Sequence, residues 1–384
     1  MRKFFIAFLS LLTIITSFVQ PFKVQADEEI DLNATAAVLI EPISKKVIYE
    51  KNAHQKLYPA SMTKMMGLYL VLEAIDNGRI SFSDQVIVSS YAASMGGTQI
   101  FLEENEKMPL EDLFKAVAIN SANDAIVALG EHLALSNNNF VKMMNDKAKE
   151  FGMNNTHFVN ATGFDDPDHY TTAYDMALLG SNLVSFDEKI LKYTSLQEGY
   201  VREDSKEPFW LVNTNKLLKY YEGLDGLKTG FTQKAGYNLT ATAKRNGVRL
   251  VSTVMNLDTI AHRSQDTIRL LDYGFSKLKA VSLYGKDDIV STFSIDETLR
   301  KYLNVTAKKE IKIILDKSEK EEDLIINAVL EKVDGFYKEG DLVGFLEIKT
   351  PSGKVFKYDL YALNSVEKPN FFSYLWNILK RLFA

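Results

Sequence analysis

The stretch PASMTKMMGLYLVLEAIDNG, from Pro59 to Gly78, reads as a helix that is apolar on nearly every face and is stopped by Asn77-Gly78. A helix of that kind cannot lie on a surface. It needs other elements all round it, so it belongs in the middle of a layered domain. Lys64 is the anomaly within it. Its place in the first turn sets a cation against the positive end of the helix dipole, and its apolar neighbours strip away water. Both effects act against its charge.

In Ser61-Met62-Thr63-Lys64 helical spacing puts residues i and i+3 on one face. A serine hydroxyl is a weak nucleophile until something takes its proton, and a desolvated lysine can be that base. The start of the helix also offers a free backbone N–H at Ser61 to a developing oxyanion. The pattern alone is cheap, because it recurs at Ser276 to Lys279 and at Ser365 to Lys368. Two further pieces give it weight. Ser121-Ala122-Asn123 interrupts the helical stretch LEDLFKAVAINSANDAIVALGEHL, and Lys228-Thr229-Gly230 stands where a strand should begin. Ser-x-Asn occurs again at Ser136-Asn137-Asn138, in a polar stretch, whereas Lys-Thr-Gly occurs once. On a functional reading Ser121 relays a proton, Asn123 holds an amide, and Lys228 with Thr229 binds an anion. Gly230 then lets a substrate backbone approach the strand edge.

Composition excludes several other chemistries. The chain has 384 residues, five histidines and no cysteine. It therefore has neither disulfide nor thiol nucleophile, and its stability must come from a core of adequate size. No histidine is followed by Glu, so H-E-x-x-H is absent, and there is no G-x-S-x-G. Each lone histidine reads as a structural or surface residue rather than a ligand. Residues 1–26 have the form of a secretory signal: Arg2 and Lys3, the apolar run FFIAFLSLLTIITSFV, then Val24-Gln25-Ala26. An uncleaved membrane anchor is the alternative, and either implies export. Without that segment, which holds Arg2, Lys3 and Lys23 and no acid, 42 basic residues face 50 acidic ones. This net negative charge argues against nucleic acid as a partner.

Between the ends, two regions differ. From about 35 to 278 strands and helices mix: a strand pair is expected around Glu41-Pro42-Ile43-Ser44, long helices at roughly 61–77 and 110–133, and a hairpin at Asn246-Gly247. From about 283 to 366 short strand-like runs (DIVSTFSI, KKEIKIILD, LIINAVLEKV, LVGFLEIKT, KVFKYDLYAL) imply a small all-β domain. The last fifteen residues, NFFSYLWNILKRLFA, form an amphipathic pattern only about 22 Å long as a helix, too short to span a bilayer. Such a helix suits the membrane interface, with Lys380 and Arg381 towards anionic headgroups; packing on the protein's own core is the alternative.

Ser-x-x-Lys, Ser-x-Asn and Lys-Thr-Gly in this order are the marks of penicillin-recognising serine enzymes. The blocks YPASMTKMM, INSANDA, TTAYDMA, GLDGLKTGFTQKAGYNL and HRSQDTIRLLDYGF resemble those of the low-molecular-mass D-alanyl-D-alanine carboxypeptidases, over about residues 35–366. The resemblance implies a two-lobed catalytic domain, α/β plus all-α, with the cleft between the lobes (27–280). A small all-β domain (281–366) and a C-terminal amphipathic membrane-associating helix (367–384) would complete the chain. It implies that Ser61 is the nucleophile towards the D-Ala-D-Ala end of a peptidoglycan stem peptide and is also acylated by β-lactams. Lys64 would be the base, with Ser121 and Lys228 on a second proton path. Asn123, Lys228, Thr229, Gly230, Phe231 and Arg263 would bind substrate, and the N–H groups of Ser61 and Phe231 would form the oxyanion hole. No metal or organic cofactor is required. The enzyme would work at the outer face of the cytoplasmic membrane. Phe231 stands where the family often has a smaller or polar residue. Rival readings on the same residues are a β-lactamase, a D,D-endopeptidase or transpeptidase acting on cross-links, and a non-catalytic wall-binding scaffold. A class A β-lactamase would need E-x-x-L-N after the second motif. The only such letters, Glu29 to Asn33, precede the nucleophile, and the second motif is Ser-Ala-Asn rather than Ser-Asp-Asn.

Overall fold

Strand β1 (Ala36–Glu41) is buried at all six positions, which requires cover on both faces of its sheet. The chain continues through β2 (Lys46–Lys51), helix α1 (Lys64–Asp76), the short strands β3 (Gln85–Ile87) and β4 (Lys107–Pro109), and helices α2 (Leu110–Asn120), α3 (Asn123–Ala134), α4 (Asn137–Glu150) and α5 (Ala173–Phe186). Strands β5 (Glu198–Val201), β6 (Phe209–Val212), β7 (Leu224–Thr232), β8 (Gly236–Arg245) and β9 (Val248–Leu257) lead to helix α6 (Ile260–Lys277). The computed structural model describes residues 30–186, 188–296, 301–331 and 336–367, with Leu375 and Leu379. The expected export signal lies outside the described residues, as does the expected C-terminal helix apart from Glu367 and those two leucines. The chain divides into units Met1–Leu32 and Asn33–Ala384. Ile30–Leu32 has no regular structure, and the strands and helices named above all belong to the second unit.

The central sheet has the order β2-β1-β9-β8-β7 and is antiparallel throughout. Helix α5 covers one face, where Gly180 lies against Leu227, Thr240 and Val251, and α6 covers the other, where Gly274 lies against Leu39 and Leu250. The expected hairpin is present. Arg245 pairs with Val248, and Asn246 and Gly247 both adopt positive φ (47° and 80°), the two-residue turn whose twist suits a hairpin.

Helix α1 is buried without a break from Lys64 to Leu72 and packs against α2, α3, α4 and α5. The all-round apolar pattern is thus met by a helical lobe on one side and the sheet lobe on the other. Two details differ from the sequence reading. Ser61 lies in a 3-10 turn, Ala60–Thr63, and Lys64 is the first residue of the α-helix proper. The stretch expected at 110–133 is two helices, because Ser121 takes a left-handed conformation (φ 69°) at the end of α2.

Strands β10 (Leu278–Tyr284), β11 (Ser291–Asp296), β12 (Lys301–Thr306), β13 (Ile311–Asp316), β14 (Ile325–Leu330), β15 (Leu342–Lys349) and β16 (Val355–Ala362) build the β region. A sheet β11-β12-β16-β15-β14 and a ribbon β10-β13 share one core, which includes Leu303, Val305, Ile313, Leu315, Leu346, Ile348 and Leu360. Strand β12 has no counterpart in the sequence reading; its Lys, Tyr and Asn dilute the apolar pattern, although Leu303 and Val305 point inward. A 2.7 Å ion pair, Lys46 to Asp316, ties β2 to β13. Leu39→Ala empties a fully buried site between β1 and α6 and is expected to cost about 2–5 kcal/mol, read as a lower unfolding midpoint in urea.

Candidate active site

Lys64 Nζ donates to Ser61 Oγ at 2.9 Å and to the backbone carbonyl of Thr162 at 2.6 Å. The amine is fully buried. Desolvation, then the positive charge of Lys228, hold its pKa well below the usual lysine range; Asp124 partly opposes them. In its neutral form the Nζ lone pair can accept the Ser61 proton along the same 2.9 Å line.

The turn that carries Ser61 is clamped from two sides. On the strand side, Asn238 of β8 donates to the carbonyls of Tyr58 and Pro59 at 3.1 and 3.4 Å, and a Cβ on Gly230 would come within 2.7 Å of Pro59 O. On the other side, Asn160 Oδ1 accepts from Thr162 Oγ1, Gly163 N and Phe164 N, fixing the loop that supplies the Thr162 carbonyl. Gly163 has φ +88°, and a Cβ there would fall 1.9 Å from Ala60 O.

Ser121 and Asn123 owe their positions to the break between α2 and α3. The left-handed residue turns the chain so that Asn123 opens α3, with its backbone N–H on Thr98 O at 2.7 Å and its side-chain amide on Gly96 O at 2.7 Å. The adjacent Asp124 is buried and accepts from the N–H groups of Ile100 and Leu102, which pins the loop over the cleft. Ser121 Oγ is buried and has no hydrogen-bond partner among the described residues.

Across the cleft stands β7. Lys228 is buried, and desolvation followed by the charge of Arg263 lowers its pKa to about 7. Thr229 Oγ1 lies 2.6 Å from Thr214 Oγ1. Arg263, on the first turn of α6, has a pKa lowered to about 10 by burial, and its buried Nε has no partner among the described residues. Phe231 stacks on Tyr237 with ring centroids 4.3 Å apart and is half exposed at the rim. One cleft of about 470 Å³ is lined by Ser61, Ser121, Thr229, Gly230, Phe231 and Arg263, together with Thr98, Thr214 and Lys216. Lys64, Asn123 and Lys228 do not line it: Lys64 is hydrogen-bonded to Ser61, Asn123 N–H to the carbonyl of Thr98, and Lys228 precedes Thr229 on β7. A larger cavity, about 790 Å³, lies near Lys244 and Lys279 and contains none of these residues, so the chemistry is assigned to the smaller cleft.

Sequence reasoning missed several supports: Asp124, Asn160, the Thr162 carbonyl, Thr214, Lys216 and Asn238. His169, expected to be structural or on the surface, is buried and has the surroundings of a buttress. Val159 N–H donates to Nδ1 at 3.1 Å, so the proton sits on Nε2, which lies 2.8 Å from Thr63 Oγ1 beside Lys64. Among the described residues no group of His, Asp or Glu could hold a metal ion.

A buried lysine beneath a serine, a paired Ser-x-Asn turn and a cation-backed strand edge define a serine acyl-transfer enzyme of the penicillin-recognising class. The chain belongs to the D-alanyl-D-alanine carboxypeptidase family, whose model matches residues 22–259; a model of the C-terminal domain of penicillin-binding protein 5 matches residues 279–368. It is 39% identical over 348 residues to the D-alanyl-D-alanine carboxypeptidase DacF of Bacillus subtilis (strain 168), covering 90% of this chain and 89% of that protein. Among solved structures it resembles a peptidoglycan synthesis regulatory factor (PBP3) from Streptococcus pneumoniae, with 26% identity, 88% and 100% coverage and a TM-score of 0.76. It also resembles penicillin-binding protein D2 from Listeria monocytogenes in its ampicillin-bound form, with 35% identity, 64% and 99% coverage and a TM-score of 0.59.

Two outcomes are expected. Gly163→Ala should displace the Ala60–Ser61 turn and remove most labelling of the protein by a fluorescent penicillin, while circular dichroism stays native. His169, burial-depressed from 6.5 to about 4, takes up its proton more readily when unfolded. Stability should therefore fall as pH drops from about 6.5 to about 4. His169→Asn should flatten that slope in denaturant titrations at several pH values.

Proposed function

We propose that the chain is a serine D,D-carboxypeptidase that removes the terminal D-alanine from peptidoglycan stem peptides and is acylated by β-lactams at the same serine. The observation that carries this reading is the 2.9 Å contact between Ser61 Oγ and a buried, pKa-lowered Lys64. Lys64 takes the Ser61 proton as Oγ attacks the carbonyl between the last two D-alanines. The N–H groups of Ser61 and Phe231 receive the oxyanion. Asn123 holds the penultimate amide, and the strand edge at Gly230 aligns the peptide. Thr229, Lys228 and Arg263 bind the terminal carboxylate; the concentration of cations at that end supports the role. Ser121, whose buried Oγ has no hydrogen-bond partner among the described residues, passes the proton towards the departing amine with Lys228 behind it. Water then hydrolyses the ester on Ser61, and the scheme needs neither metal nor organic cofactor.

The catalytic part is taken as residues 27–280 and the β domain as 281–366, with β10 crossing the junction. Residues 1–26 direct export, and residues 367–384 hold the enzyme peripherally at the outer face of the cytoplasmic membrane, with residues 370–384 lying on its surface. Sequence pattern supports both, and among the described residues no helix is long and apolar enough to cross a membrane.

Purified wild type should release free D-alanine from an acyl-D-alanyl-D-alanine peptide and Ser61→Ala should not; release by both would refute the nucleophile. Lys64→Ala should lower the acylation rate by about 10²–10⁴-fold with the fold retained. Because the neutral amine is the active form, wild-type acylation should rise with pH as Lys64 deprotonates. Lys64→Arg, always protonated, should fail at every pH tested by stopped-flow β-lactam acylation. A chain ending at Val366 should be soluble after signal removal; retention in the membrane fraction would refute the C-terminal anchor.

A further inference from the structure

A second groove, about 380 Å³ in volume, adjoins the catalytic cleft. Val212, Asn213 and Lys216 line both, so the two share a wall. The β5-β6 ribbon forms that side. Glu198 pairs with Val212 and Tyr200 with Trp210, two residues along each strand and therefore on one face. The other face is the buried one, with Val201 and Leu211 in the core. Trp210 is 55% exposed and Tyr200 46% exposed, next to each other on the open side. Trp210 Nε1 donates to Glu198 Oε2 at 3.2 Å, which fixes the plane of the indole before anything binds. A two-stranded ribbon that presents a Trp and a Tyr to water invites association unless a ligand uses them.

We propose that the Trp210–Tyr200 pair is a stacking platform for a pyranose ring of the glycan strand from which stem peptides hang. The proposal rests on the carboxypeptidase reading, since it supplies the polymer. The flat C–H face of a pyranose carries partial positive charge and complements the negative face of an aromatic ring. Stacking leaves the sugar hydroxyls to water and to Glu198. A tethered indole loses little rotational freedom on binding, so the contact is retained as affinity. Trp210 and Tyr200 line neither groove; Trp210 stands two residues before Val212 on β6, which lines both, so the platform is set to one side of the cleft. It therefore strengthens binding of the polymer without altering the chemical step on Ser61.

The test uses the full chain, wild type beside Trp210→Ala and Trp210→Phe. D-Alanine release is followed from a small acyl-D-alanyl-D-alanine peptide and from polymeric peptidoglycan with pentapeptide stems. Trp210→Ala should leave kcat/KM on the small peptide within about twofold and reduce it on the polymer about 5- to 20-fold, through KM. Trp210→Phe should recover most of the loss. In parallel, a peptide-free N-acetylglucosamine oligomer should change wild-type tryptophan fluorescence saturably and leave the Trp210→Ala signal unchanged. Equal loss on both substrates would make Trp210 a support of the cleft and overturn the proposal, as would undiminished activity on the polymer. If wild type releases D-alanine from neither substrate, the carboxypeptidase reading fails instead. The oligosaccharide arm still judges the platform, and no saturable change there refutes it.

Discussion

The hydrogen bonds that hold the Lys64 amine between Ser61 Oγ and the Thr162 carbonyl are the constraint on which the rest of the structure depends. An amine without water must shed its charge or be compensated. Here it keeps two oxygen partners and lies in the fields of Lys228 and Asp124, with Arg263 acting on Lys228 in turn. Arg263 and Lys216 line the cleft and Lys228 lies beside Thr229 on β7, so the basic side chains gather at one end, which suits a ligand that ends in a carboxylate.

Holding that arrangement takes parts from the whole catalytic domain. Helix α1 brings Lys64 to the centre because the sheet lobe and the helical lobe both need its apolar faces. The loop at 160–163 reaches the amine only because Asn160 gathers its backbone N–H groups and Gly163 passes against Ala60 without a side chain. The left-handed Ser121 separates two helices that would otherwise merge, and so points Asn123 and Asp124 to opposite duties: one faces Gly96 at the cleft, the other anchors the backbone at Ile100 and Leu102. The β region has its own core and touches the catalytic sheet through contacts such as Lys46 to Asp316. None of its described residues lines the cleft.

Much of this was legible in the sequence. The unbroken apolar run after Lys64 announced a helix enclosed on all sides, Asn246-Gly247 announced its hairpin, and the order of the three short motifs located both walls of the cleft. Other parts left no such trace. Strand β12 carries polar residues on its outer face, and its inward Leu303 and Val305 are too few to stand out. The 3-10 form of the turn at Ser61 arises from strand and loop backbones crowding Pro59 and Ala60, which no local propensity encodes.

The sequence by itself determined which residue types carry the chemistry and on which kind of element each sits, because spacing along a helix or strand fixes what shares a face. Only the tertiary structure decided the state of those residues. Burial from every side set the charge of Lys64, and a main-chain carbonyl 98 positions away became its partner. A neutral histidine came to brace Thr63, and the β5-β6 ribbon came to line the cleft through Val212. Desolvation and long-range hydrogen bonding are properties of the packed molecule, and no stretch of the chain contains them alone.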